Sequence, residues 1–131
     1  MKHFLIKFNH GVEIGAMLAY VGHFFRTFDD RVWEIAMEEV EHRANLKNVL
    51  SDLGEKPSPI IDGSFRLIGN LIRFLCKISP IWSLDFIARM MELFAVFNYS
   101  RLAKAYPQYQ SLFERMASAE QVHGDYFRRK K

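Results

Sequence analysis

The sequence predicts an all-α protein: a four-helix bundle with a long crossover that carries a short extra helix. Apolar residues recur at steps of three and four along almost the whole chain, and the strict alternation of strands is nearly absent. Turn-forming residues cluster at only a few places, so the periodic stretches between them are long. At 131 residues the chain fits one domain, read as residues 1–131.

The first helix is expected from about Lys2 to Thr27. It breaks at Phe28-Asp29-Asp30, where Asp29 or Asp30 can cap the next helix. The second runs from about Arg31 to Leu53 and stops at Gly54, with Pro57 and Pro59 beyond it. These prolines open the crossover, in which Asp62-Gly63 reads as a turn. A shorter crossover helix is expected from about Phe65 to Ile78, ended by Ser79-Pro80. The next long helix covers about Ile81 to Ala105, and Pro107 starts the last one, which reaches about Arg129. Four long helices joined through a mid-chain crossover are a layout shared by ferritin-like folds.

Composition removes several classes of function. Half the residues are hydrophobic and 15% are aromatic, too apolar for a disordered chain. The single cysteine, Cys76, excludes an internal disulfide framework and a multi-cysteine zinc site. It fits a reducing compartment, and a cytoplasmic location is expected. Met1-Lys2-His3-Phe4 opens without a signal-peptide core, and no uncharged apolar run approaches the ~20 residues of a membrane span. The net charge of +3 leans toward an anionic partner. The only dense basic run, Arg128-Arg129-Lys130-Lys131, reads as a solvated tail, so no nucleic-acid partner is expected. No phosphate loop, nucleotide fingerprint or Ser-His-Asp arrangement stands out.

The chemistry lies in two Glu-x-x-His segments, Glu39 to His42 and Glu120 to His123. At this spacing both side chains leave one helix face about a turn apart. On the second helix the stripe Val32, Ile35, Glu39, His42, Leu46, Val49, Leu53 steps by three and four. On the last helix Tyr109, Phe113, Met116, Glu120, His123, Phe127 does the same. The motifs thus replace core positions. Glu38 and Glu41 compete with Glu39, but only Glu39 shares both the stripe and the spacing to His42. The other long helices each place one carboxylate on the inner stripe: Glu13 within Ile6, His10, Glu13, Met17, Tyr20, Phe24, and Glu92 within Ile81, Ala88, Glu92, Ala95, Tyr99, Leu102. Four carboxylates and two imidazoles facing a dry core would cost many kcal/mol without neutralisation. Two divalent cations supply it. One Glu from each of two helices with Glu-x-x-His from the other two is the donor pattern of di-iron and di-manganese carboxylate bundles. Two iron ions are expected, with manganese the alternative, since mixed carboxylate and imidazole donors suit Fe(II) and O2 chemistry.

The stretch from His10 to Ala16, reading His-Gly-Val-Glu-Ile-Gly-Ala and followed by Tyr20-Val21-Gly22, resembles the first-helix motif of the demethoxyubiquinone hydroxylase family of ferritin-like di-iron monooxygenases. Glu92 with Tyr99 is similar to that family's third ligand helix, and Glu120-Gln121-Val122-His123-Gly124-Asp125 to its closing motif. Arg43-Ala44-Asn45 and His23 depart from the family's pattern, and the chain is short for it. The resemblance implies Glu13 and Glu92 as terminal carboxylates, Glu39 and Glu120 as bridges, and one metal each for His42 and His123. It also implies hydroxylation of a hydrophobic, quinone-like small molecule with O2 at a membrane surface. The competing expectation is a ferroxidase or peroxide-scavenging oxidoreductase.

Tyr20, Tyr99 and His10, expected within a turn of the ligands, are candidate hydrogen-bond donors to metal-bound groups. The crossover helix places Arg66, Asn70, Arg73 and Lys77 beside a broad apolar face. This suits either the inner face of a membrane, held peripherally, or a helix that covers the bundle or a homodimer interface.

Overall fold

The structure, a computed structural model, describes residues 1–129. It comprises α1 (Phe4–Thr27), α2 (Asp30–Asp52), α3 (Pro59–Leu75), α4 (Ile81–Ala105) and α5 (Gln110–Arg129), with a 3-10 turn at Pro107–Tyr109. No strand occurs among the described residues. Of the C-terminal basic run, Lys130 and Lys131 lie outside the described residues; Arg128 sits 3.6 Å from Asp125. The chain forms two compact units, Met1–Ser79 and Pro80 onward.

In the first unit α1 packs against both α2 and α3. Asp29 starts α2, its carboxylate accepting from the Arg31 N–H at 3.1 Å. Gly54 ends α2 at φ 72°, a conformation glycine adopts without steric cost. The Gly54 N–H then donates to Ser51 O and the Glu55 N–H to Leu50 O, at 3.0 and 2.8 Å, closing the helix end. The buried residues of α2 are Val32, Ile35, Ala36, Glu39, His42, Leu46, Val49 and Leu50, so the expected stripe faces inward as far as Val49; Leu53, expected to close it, lies past the last helical residue and is half-buried.

The crossover differs from the sequence expectation. α3 begins at Pro59 and absorbs Asp62-Gly63 into its first turns, where a turn was expected. Ser58 explains this: its hydroxyl accepts from the Ile61 N–H at 3.3 Å, and Pro59 fits the first helical position. A helical Gly63 costs up to ~1 kcal/mol, which the docking of Ile61 and Phe65 on α1 offsets. At its other end α3 stops at Leu75, and residues 76–79 continue as turns.

Small residues set the α1–α3 contact. Gly11 meets Ile61 and Phe65, Gly15 meets Phe65 and Gly69, and Gly22 meets Arg73. Contact positions rise together along both helices, so the two run parallel. A Cβ on Gly69 would stand 2.9 Å from the Gly15 Cα, which only glycine permits. The opposite side of α3 is apolar and exposed, with Leu67, Leu71 and Phe74 more than half accessible.

The second unit is a hairpin of α4 and α5. Leu84, Ala88, Glu92, Ala95, Tyr99 and Leu102 are buried on α4. Ile81, expected to open this stripe, is instead 44% exposed. It occupies the first helical position, and burial starts at Leu84. On α5, Phe113, Met116, Glu120, His123 and Phe127 are buried. Tyr109, assigned from sequence to the last helix, belongs to the preceding 3-10 turn. Its ring packs edge-on against Phe113, which also stacks with Tyr99. α4 carries a second apolar row outward, Phe86, Met90, Leu93 and Phe97. Among the described residues, no helix is long and apolar enough to cross a membrane.

Candidate metal centre

Each unit holds a triad of the same composition. In the first, α1 contributes Glu13, and α2 contributes Glu39 and His42 one turn apart. His42 Nδ1 lies 3.9 Å from Glu13 Oε2 and 3.7 Å from Glu39 Oε2. Both carboxylates are at most 2% exposed. In the second unit, α4 contributes Glu92, and α5 contributes Glu120 and His123. His123 Nδ1 lies 3.5 Å from Glu92 Oε2 and 3.8 Å from Glu120 Oε1. These three are buried to the same degree.

The donor spacing fits a cation. Two donors on one metal at ~2.1 Å each are at most about 4.2 Å apart, and all four separations fall below that limit. Each triad offers a donor atom from every member within 4.8 Å of the others. Buried groups of Glu and His that can hold a metal ion are therefore present.

All six residues expected as ligands are buried, three in each unit. The ambiguity on α2 resolves as well: Glu38 accepts from Arg31 Nη1 at 3.3 Å and Glu41 is exposed, which leaves Glu39 as the buried carboxylate. Gly124 on α5 carried no structural reason in the sequence. A Cβ there would approach the Glu92 Cβ to 3.3 Å, so the missing side chain gives Glu92 its room beside α5.

The candidate donors divide. His10 is one turn from Glu13, and its Nδ1 lies 2.9 Å from Asp62 Oδ1 on α3. A carboxylate only accepts, so the Nδ1–H donates. Asp62 had no expected role. Tyr20 and Tyr99 are fully buried, but each follows its helix's glutamate by seven residues, about two turns rather than one. Cys76 is buried, and burial pushes its thiol pKa up, so it stays protonated and poorly nucleophilic.

Compared with protein-family models, curated proteins and solved structures, the sequence has no match.

Proposed function

We propose that this protein is a di-iron oxygenase with a ferritin-like four-helix core, hydroxylating a hydrophobic, quinone-like substrate with O2. In this reading each triad supplies donors for iron. The observation that carries it is the repetition of one buried donor set, Glu with Glu-x-x-His, on two separate helical hairpins. Four carboxylates balance the charge of two Fe(II) ions, leaving the two imidazoles as neutral donors. Glu13 and Glu92 would be terminal ligands, Glu39 and Glu120 bridges, and His42 and His123 would bind one metal each, with manganese as the alternative ion.

Bound iron would supply O2 activation, with electrons from an external donor. The chain's own groups shape what surrounds it. Buried aromatic and aliphatic side chains keep water from the triads, and Gly124 leaves Glu92 free to seat against its histidine. The exposed apolar side of α3, edged by Arg66, Arg73 and Lys77, supports a hydrophobic partner surface. A peripheral place on the inner face of a membrane follows from that reading.

The test is metal analysis with single turnover. Anaerobically loaded protein should bind two irons per chain and, given reductant and labelled O2, insert one labelled oxygen into a soluble prenyl-quinone analogue. Iron oxidation at full rate with no labelled quinone would favour the ferroxidase reading. Saturation at less than one metal per chain would refute both.

A further inference from the structure

The C-terminal ends of α1 and α3 lie side by side, because the two helices run parallel. Between them is a half-open groove of about 520 Å3, lined by Gly22, Phe25, Arg26, Arg73 and Lys77. Three of its five lining residues are cationic. None of the three forms an ion pair with a described acidic residue. Lys77 instead rests over the Phe74 ring, 5.8 Å from its centre.

The arrangement is specific to the way the helices meet. Arg73 stands in the last turn of α3, and Lys77 follows four residues on, in the turn beyond the helix. Arg26 follows Gly22 by one turn on α1. A Cβ on Gly22 would stand 2.7 Å from the Arg73 Cα, so glycine at this position lets Arg26 and Arg73 border one groove. Helix C-termini attract cations, but each carries only about half a negative charge, screened by water. Two such ends offset about one of the three positive charges. The groove keeps an excess of positive charge.

We propose that Arg26, Arg73 and Lys77 form a binding site for a phosphate-bearing ligand. Two guanidinium groups present paired N–H donors that match phosphate oxygens, and the lysine adds a point charge. A groove of this volume has room for a ligand larger than a bare phosphate. A diphosphate and the headgroup of an anionic phospholipid share this chemistry. The site is independent of the two triads and stands whether or not they bind iron.

Full-length protein is titrated with inorganic pyrophosphate by calorimetry, and in parallel with phosphatidylcholine vesicles with and without phosphatidic acid. Arg26→Gln and Arg73→Gln should each weaken binding about tenfold. Lys47→Gln, an exposed cation on α2 outside the groove, should leave it unchanged. Binding of pyrophosphate with this pattern supports the site and identifies a free phosphate ligand. A preference for phosphatidic acid that Arg26→Gln abolishes, without pyrophosphate binding, supports it and identifies a lipid headgroup. No saturable binding of either probe overturns the proposal, as does an equal loss from Lys47→Gln.

Discussion

His10 and Asp62, 52 residues apart, meet at 2.9 Å and join α1 to the crossover helix. The imidazole is almost fully buried and the carboxylate mostly so. Glu13 lies one turn further along α1, so this bond fixes the helix segment that carries one of the buried carboxylates. A double-mutant cycle of His10→Ala and Asp62→Ala, read by chemical unfolding, should give a coupling of about 1–3 kcal/mol. Additive effects would mean that the pair contributes nothing to stability.

Metal should stabilise the fold. A ligand that binds only the native state adds about 2.7 kcal/mol at a hundred times its Kd, so chelation should lower the melting temperature by several degrees. His42→Ala and His123→Ala should each lose metal and abolish much of that shift. His3→Ala and His23→Ala should bind metal normally. An unchanged melting temperature on chelation would exclude an internal metal.

Alanine at two helical glycines should give opposite results. Gly63 has open space around it, so Gly63→Ala should stabilise the protein by about 0.5–1 kcal/mol. Gly124→Ala presses on Glu92, and it should weaken metal binding several-fold while the helix content stays constant. Thermal melts with and without metal separate the two effects.

Cys76 should react slowly. With its pKa raised by burial, the thiolate fraction at neutral pH is below that of an ordinary thiol. Labelling by a disulfide reagent should be at least tenfold slower in the native protein than in denaturant. The native rate should climb as pH rises through the alkaline range, the direction that deprotonates the thiol.

The outward side of α3 should decide lipid adsorption. Leu71→Ser with Phe74→Ser removes two large exposed apolar groups from it. If α3 docks on lipid, the double variant should sediment with phosphatidylcholine vesicles about tenfold less well, with metal content unchanged. Wild-type protein that ignores vesicles at low salt would leave this face to a second copy of the chain.

The buried glutamates and histidines were legible because each interrupts an apolar stripe: Glu39 and His42 stand where Ile or Leu would continue the pattern of α2. The start of α3 was not, since Asp62-Gly63 has turn chemistry and only Ser58, with the docking of Ile61 and Phe65, overrides it. Asp62 was invisible for a related reason, as its partner is on another helix. The outward row of α4 escaped notice because that helix is apolar on nearly every side. There, Glu92 alone marked the inner face.

The meeting of Gly15 with Gly69 has a consequence for how this chain can vary. α3 is anchored largely through backbone and a few inward groups, so little of its attachment is encoded in the side chains it turns outward. Residues such as Leu67, Leu71 and Phe74 can be exchanged without disturbing the contact that holds the helix, whereas any side chain at Gly69 would push it off α1. The crossover is thus a cassette whose outer face can be rewritten for a new surface while the triad carried by α1 and α2 keeps its geometry.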